Sequence, residues 1–241
     1  MKVNKGIPVL ITSAINVSAN KTKLSNQDQR LSKTVAAIKH WRQTPLVNTV
    51  IVCDGSGFDL SEHMNTSDES GQQAPCEFLS FNNDRTKVRA LGKGYGEGEI
   101  VKYALEKSKA LQGSHAFAKC TAKLWLSNFP ECVSHFKSKA VFDYGGSFHP
   151  VYLDTRFYLT ETEFFRAHLM NAYQKVDEDR GYNLEHAYRD ALVQFKLSEI
   201  AMYPTPRIFG TSGSMNKEYL PHPFKSMLRD TRSIIVKTIG I

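Results

Sequence analysis

Long apolar runs are missing from this sequence. The basic stretch from Met1 to Gly6 is followed only by the short run Ile7–Ile11, too short for a membrane span or the core of a signal peptide. Cysteine is scarce. Cys53, Cys76, Cys120 and Cys132 are the only four, and no two stand at the Cys-x-x-Cys spacing of a zinc ribbon or a thioredoxin-like redox pair. Buried free thiols in a reducing cytosol follow. No internal repeat recurs at solenoid periods, no long low-complexity stretch occurs, and no linker separates two independent units. Aromatic residues are not interleaved with Lys and Arg in a recognisable RNA-binding motif, which argues against nucleic acid as the partner.

What is present is an ordinary globular composition. The 241 residues are 41% hydrophobic and 23% charged, enough to bury a sizeable core in one domain. The net charge of +7 favours anionic partners such as phosphate-bearing substrates, an acidic membrane surface or nucleic acid.

The first half alternates strand-like and helix-like segments. Pro8–Ser13 reads as a buried strand, and a polar loop from about Asn16 to Asn26 follows. Leu31, Thr34, Val35, Ile38 and Trp41 recur at three- and four-residue steps, predicting an amphipathic helix that Pro45 ends. Val47–Cys53 is the next strand and runs into the turn cluster Asp54-Gly55-Ser56-Gly57; Asn65–Ala74 reads as a mobile polar loop, and Cys76–Phe81 as a third strand. The glycine-rich loop Gly92–Gly98 leads into a helix with the apolar face Ile100, Ala104, Leu105, Ser108 and Leu111. Ala116–Leu126, Ala140–Tyr144 and Val151–Leu159 are further strands. Later, Phe165, Leu169, Ala172, Tyr173 and Val176 form one helical stripe, and Leu184, Ala187, Tyr188, Ala191, Leu192 and Phe195 a second. The β-α-β-α-β order predicts a parallel, doubly wound α/β sheet with a helical C-terminal part.

In such a sheet ligands bind beyond the carboxyl ends of the strands. Ser13 and Ala14 after the first strand, and Asp54, Gly55 and Ser56 after the second, are therefore binding candidates; Asp54 serves equally well as an Asp-Gly turn. Lys93 and Gly94 open a segment whose amides suit a phosphate, although the Walker A ending is absent. Lys119, Thr121 and Lys123 alternate along one strand and so project to one face, either a solvated cleft or an edge guarded by lysines. Asp143 lies in a late strand. Asp154 and Arg156 share one face, as a salt bridge or as a binding pair. Glu185 and His186 flank an apolar stripe and are base candidates.

In this order the segments resemble a known family. Ile11-Thr12-Ser13-Ala14-Ile15 is followed by a helix carrying Arg30, Thr34 and Ile38, then by Ile51-Val52-Cys53-Asp54-Gly55-Ser56. Lys93-Gly94-Tyr95-Gly96-Glu97, Phe117–Leu124, Asp154-Thr155-Arg156-Phe157 and Leu184-Glu185 complete it over about residues 7 to 215. This looks like bacterial glycosyltransferases with a GT-A-like fold that build capsule or lipopolysaccharide O-antigen chains. The resemblance implies a Rossmann-like nucleotide-binding sheet with helices on both faces. About 7–125 would be the nucleotide-sugar half, about 139–215 the acceptor and catalytic half, and about 216–241 a basic tail, all in one domain. It implies that Ser13, Ala14, Arg30, Asp54, Gly55, Ser56, Lys93, Gly94, Lys119, Thr121 and Lys123 hold the donor, and that Asp154, Arg156 and Glu185 serve catalysis. Strands of this kind often read Lys-x-Thr-Gly-Arg; here Ala122 and Lys123 stand in the last two places, so the bidentate fork of an arginine is lost. The resemblance also implies a divalent cation, Mn2+ or Mg2+, on an Asp-x-Asp motif, and none follows a middle strand. Asp177-Glu178-Asp179 has the spelling but reads as a surface charge cluster. Either Asp143 or Asp154 acts alone, or Lys and Arg replace the metal.

In the tail, Phe224, Met227, Leu228, Ile234, Ile235 and Ile239 fall mostly on one helical face, with Lys225, Arg229 and Arg232 opposite. That pattern fits a helix lying on an anionic membrane or one docked on the protein core. The expectation is a cytoplasmic enzyme, held against the inner face of the inner membrane, with a nucleotide-sugar donor and a glycan or lipid-linked acceptor. A sugar nucleotidyltransferase shares the layout, but its glycine-rich loop would follow the first strand, where Ala14–Asn20 has no glycine. A non-catalytic basic module binding membrane or nucleic acid is the third reading.

Overall fold

The computed structural model of the chain describes residues 6–16, 24, 26–64, 73–213 and 216–241. The basic N-terminal residues 1–5 and most of the two polar loops read from the sequence, at 17–23 and 65–72, lie outside these.

Strand β1 (Ile7–Ser13) is wholly buried and leads to helix α1 (Gln27–Gln43), whose first turn is capped by Asn26, the side-chain oxygen accepting the Gln29 N–H at 2.9 Å. Such a cap contributes about 1 kcal/mol. Strand β2 (Val47–Asp54) and strand β3 (Cys76–Ser80) follow, then helices α2 (Arg85–Leu91), α3 (Lys93–Lys107) and the single turn α4 (Lys109–Gln112). Strand β4 (Ala116–Thr121), the short β5 (Leu124–Leu126), helix α5 (Phe129–His135), and strands β6 (Ala140–Gly145) and β7 (Tyr152–Glu161) complete the sheet region. Helices α6 (Thr162–His168), α7 (Leu184–Ala191) and α8 (Leu197–Ile200) precede strands β8 (Ile208–Thr211) and β9 (Glu218–Tyr219) and the final helix α9 (Pro223–Ile239).

The main sheet has the order β3-β2-β1-β4-β7-β6. The first four strands are parallel, and β7 runs antiparallel to both neighbours. The alternating side chains of buried strands supply two separate cores, as the two-residue period requires. Leu10, Ile51, Cys53 and Phe117 pack with α3, α6 and α7 on one face; Val9, Ile11, Val50 and Val52 pack with Trp41 of α1 and Phe129 of α5 on the other. Each fully buried large side chain contributes about 1.5–3 kcal/mol. The fold class is thus the expected α/β, GT-A-like one, a Rossmann-like sheet with helices on both faces. A second, three-stranded sheet, β5-β8-β9, stands beside it.

Several elements differ from the sequence reading. The run Ala116–Leu126 is two strands, because the chain turns at Ala122-Lys123, where Lys123 takes a left-handed φ of 73°. The stripe Phe165–Val176 is buried as expected, but α6 stops at His168 and a 3-10 turn, Ala172–Lys175, completes it. The helix after the glycine-rich segment ends at Lys107; Ser108 caps α4 instead of continuing the face. All four cysteines are free thiols, three of them buried.

The tail is the largest difference. Helix α9 docks on the protein, but through its polar side: Ser226, Ser233 and Val236 are buried, and Arg229 and Arg232 reach back to the Asp143 carboxylate at 2.7 and 3.3 Å. Arg232 also donates to the Tyr144 carbonyl at 2.9 Å and its guanidinium lies 3.9 Å over the Tyr144 ring. The apolar stripe therefore faces outward, with Phe224 58% and Ile239 56% exposed. The sequence pattern gave the two faces correctly; the buried carboxylate of Asp143 decides which one turns inward. No described helix is long and apolar enough to cross a membrane.

Candidate functional site

The carboxyl ends of β1, β2 and β4 and the amino end of the antiparallel β7 open into a cavity of about 530 Å³, closed on one side by α3 and α7 and on the other by the small sheet. This is the position at which a doubly wound sheet receives its ligands. Of the residues expected there, Ser13, Ala14, Arg30, Gly55, Ser56, Lys93, Thr121, Lys123, Asp154, Arg156 and Glu185 all line it. Asp54, Gly94, Lys119 and Asp143 do not.

Asp54 is fully buried behind the cleft. One carboxylate oxygen accepts the Ile15 N–H at 2.9 Å, and the other accepts the Ser56 N–H at 2.7 Å, the Ser56 hydroxyl at 2.5 Å and the Phe58 N–H at 3.3 Å. It staples the loop after β1 to the loop after β2 and has no face left for a nucleoside. These bonds are those of an Asp-Gly turn.

The glycine-rich segment is not a loop but the first two turns of α3. The Gly94 N–H is already taken by Glu178, which accepts it at 2.8 Å, so the protein's own carboxylate occupies the place expected for a phosphate. The glycines serve packing. A Cβ at Gly98 would collide with Tyr173, and one at Gly96 would stand 2.8 Å from the Asn83 side chain. Of the Asp-x-Asp look-alike, Glu178 is this helix cap and Asp177 accepts the Arg180 N–H at 3.2 Å; neither reaches the cleft.

Lys119 and Thr121 do share a face, but only Thr121 reaches the cleft. The Lys119 ammonium is fully buried and meets three acceptors: the Glu97 carboxylate, the Thr121 hydroxyl at 2.9 Å and the Thr155 carbonyl at 2.8 Å. Its donors are spent within the protein, and its effect is to hold Glu97 at the cleft wall.

Three acids line the cleft, each in a different state. Asp154 is clasped by Arg156, whose Nε lies 2.9 and 3.0 Å from the two carboxylate oxygens, the terminal nitrogen adding a further contact. Glu97 is paired with Lys119. Glu185 faces no cation. It accepts the Thr155 hydroxyl, at 3.1 Å, and its own backbone N–H, and burial, together with the negative charge of Glu97, raises its pKa above the ordinary glutamate range. His186, the other base candidate, is spent on capping α7, its Nδ1 accepting the Asn183 N–H at 3.2 Å.

The floor carries groups that nothing satisfies. The hydroxyls of Thr12 and Ser13 and the carbonyl oxygen of Asn83 are buried, line the cleft and have no partner among the described residues. Buried polar atoms are normally paired, and leaving one unpaired costs about 1–3 kcal/mol. Beside them stand two cations, Arg30 and Lys123. Arg30 is anchored by the carbonyls of Ala14 and Leu24, the latter at 2.9 Å, and its burial lowers its pKa. Lys123 is buried, its side-chain nitrogen makes no hydrogen bond or ion pair among the described residues, and it titrates at about 7 because burial, and then the charge of Arg30, oppose its ionisation.

Thr12, Asn83, Glu97, Thr155 and Tyr219 were not singled out by sequence. Glu97 carried a usable signal, one helical turn beyond Lys93 on what proves to be the same helix face. Tyr219 had none, since it arrives from the small sheet, its ring 4.8 Å from the Arg156 guanidinium.

A metal does not fit the carboxylates present. Asp143 is consumed by Arg229 and Arg232, Asp154 by Arg156, and no group of three or more His, Cys, Asp or Glu suited to an ion exists among the described residues.

No protein-family model matches the chain, and no curated protein matches it in sequence. Solved structures do match in fold. The chain is similar to the inositol-1-phosphate CTP transferase from T. maritima, with a TM-score of 0.55 at 8% identity, covering 95% of this chain and 97% of that one. Looser matches are the bifunctional glycosyltransferase WbbM (TM-score 0.48, 8% identity, 83% of this chain) and the galactosyltransferase LgtC in complex with donor and acceptor sugar analogues (0.45, 8%, 77%). The chain spans 39% of the length of WbbM and 70% of LgtC. At such identity the likeness concerns the fold alone.

Proposed function

We propose that the chain transfers a sugar from a nucleotide-sugar donor to a growing bacterial surface polysaccharide of the capsule or lipopolysaccharide O-antigen kind. The observation that carries this reading is the state of the three cleft acids: two are neutralised by fixed cations, and the third, Glu185, is an unpaired carboxylate suited to take a proton. The orphaned hydroxyls of Thr12 and Ser13 suit the ribose and phosphate oxygens of a nucleotide, and the order of motifs supports the acceptor class.

The acceptor hydroxyl attacks the anomeric carbon, Glu185 accepts the hydroxyl proton, and the sugar–phosphate bond breaks with its electrons leaving on the nucleoside diphosphate. Asp154 acts as the anchor of Arg156 rather than as the base. Arg156 then presents a fixed positive charge to the departing group, which costs no reorganisation during the reaction.

A lipid-linked acceptor suits a peripheral membrane contact through α9. Its apolar stripe faces outward and lies ready for the acyl boundary, whereas Arg229 and Arg232 are turned away from lipid headgroups.

A second reading has one specific support, the full-length likeness to the CTP transferase. In that reading the cleft takes a nucleoside triphosphate and a sugar phosphate and releases pyrophosphate. One assay separates the two. The protein is incubated with UDP-, GDP- and CMP-sugars and, separately, with nucleoside triphosphates and sugar 1-phosphates. Release of free nucleotide from a nucleotide sugar, lost in Glu185→Gln, supports glycosyl transfer; pyrophosphate from the triphosphates overturns it. Salt-sensitive binding to nucleic acid with no nucleotide-sugar binding would instead favour a non-catalytic basic module.

A further inference from the structure

The GT-A resemblance implies a divalent cation on the donor diphosphate, and the carboxylates of this cleft do not fit one. What the cleft offers at the corresponding strand end is two basic side chains that make no ion pair among the described residues. A Cβ built on Gly213 would lie 3.2 Å from Lys123 Cε, 3.6 Å from Lys123 Nζ and 3.4 Å from a terminal nitrogen of Arg30, so the two cationic groups converge on one small space beside a glycine. The Arg30 guanidinium and the Lys123 backbone are anchored from elsewhere. Arg30 is held by the carbonyls of Ala14 and Leu24, and Lys123 is fixed by the left-handed turn that ends β4, where its own carbonyl accepts the Thr211 N–H at 3.1 Å.

The groups around Lys123 are otherwise committed. Lys33 of α1 donates to the Thr211 hydroxyl at 2.9 Å. Asp54 of β2 is saturated by Ile15, Ser56 and Phe58; Glu97 of α3 is held by Lys119; Arg156 of β7 is held by Asp154. From β9, Glu218 is exposed and Tyr219 lies under Arg156. An ammonium left unpaired in such a place is strongly disfavoured and is relieved by an anion.

We infer that Lys123 and Arg30 form a metal-independent diphosphate site. This rests on the nucleotide-sugar reading and names the groups that receive the donor's phosphates. The balance is simple: one proton passes from bulk water to the neutral amine, the ammonium then donates to a phosphate oxygen, and no covalent bond changes. Bidentate recognition comes from Arg30 and point charge from Lys123. Because the free side chain titrates at about 7, proton uptake on binding should be larger at pH 8 than at pH 7.

The test is calorimetry with inorganic pyrophosphate and with UDP, GDP and CDP, in excess EDTA, at pH 7 and 8, in pairs of buffers with different ionisation heats. Binding in EDTA with proton uptake larger at pH 8 is expected. Lys123→Met should weaken pyrophosphate by roughly 10-fold or more and abolish the buffer dependence. The same substitution should raise the melting temperature of the unliganded protein, which shows that the variant folds. Lys123→Arg should keep binding and lose the proton uptake. Binding that requires a divalent ion, or proton uptake that survives Lys123→Met, overturns the inference. The parent reading fails separately: pyrophosphate bound at Lys123 while no nucleotide sugar is ever turned over leaves the anion site standing, whereas nucleotide sugars turned over with Lys123→Met unaffected sinks the site and spares the reading.

Discussion

Replacing Asp54 by asparagine separates a staple from a ligand contact. The carboxylate collects four donors from two loops, at 2.9, 2.7, 2.5 and 3.3 Å, and is wholly buried. An asparagine can turn its carbonyl oxygen toward Ser56 and Phe58 and keep three of them. Its amide then faces the Ile15 N–H, donor against donor. One buried N–H is left unsatisfied, at about 1–3 kcal/mol, and the remaining bonds lose the strengthening of a charged acceptor. A total of about 2–4 kcal/mol is a large share of the ~5–15 kcal/mol that stabilises an ordinary domain. The urea midpoint should fall by about 1–2 M with an unchanged slope. Ser56→Ala removes only the hydroxyl bond and should cost about 1 kcal/mol. Far-UV circular dichroism during urea unfolding gives both figures, and nucleotide affinity is measured alongside at a temperature where every variant is folded. Affinity should fall modestly, because Asn16 and Ser56 at the cleft rim lose their positions. An Asp54→Asn protein as stable as the parent but unable to bind nucleotide would refute this, since the carboxylate would then have to face the ligand.

Four other substitutions bear on the site and its frame. Turnover should rise with pH through a pKa above the ordinary carboxylate range, because burial and then Glu97 disfavour the Glu185 anion that the base role needs; Glu185→Gln should cut kcat by about 10²–10⁴-fold, and Glu97→Gln should move the rising limb to lower pH. The sign for stability is opposite: a carboxyl whose folded pKa is raised favours folding while protonated, so its contribution is lost as pH rises through that pKa, and Glu185→Gln should flatten this part of a melting-temperature profile. Asp143→Asn removes the buried counter-charge of Arg229 and Arg232; with both arginines partly exposed, a loss of about 1–3 kcal/mol and faster proteolysis around α9 are expected. Gly98→Ala should cost about 1–3 kcal/mol in thermal unfolding, because the added methyl meets Tyr173 and not open solvent.

The sheet was legible because its strands are short, β-branched and separated by periodic helices; β1, β2 and β3 came within a residue of their bounds. Burial was legible even where the element was not, as at Phe165–Val176, since periodicity reports which side faces the core and not whether a helix is continuous. The turn at Lys123 was hidden, because a lysine with positive φ has no local signal and the flanking residues read as strand. The small sheet was hidden as well. Its pairing of Leu124–Leu126 with Ile208–Thr211 joins segments more than eighty positions apart, and no local pattern carries that distance.

The site residues divide by the same logic. A charged residue at a strand end marks a ligand site only when its partners leave it free, and partners are set by tertiary structure. Asp54, Lys119 and Asp143 had the same sequence credentials as Glu185 and Lys123: an ionisable group in or beside an apolar run. Asp54 found four donors, Lys119 three acceptors and Asp143 two guanidinium groups, and each disappeared into the frame. Glu185 kept one hydroxyl and its own backbone N–H, and the Lys123 amine nothing among the described residues. Chemistry is therefore best sought at the charges the fold fails to neutralise, and among the described residues of this cleft those include the Glu185 carboxylate and the basic neighbours Lys123 and Arg30, the groups that the proposed proton acceptance and anion release would need.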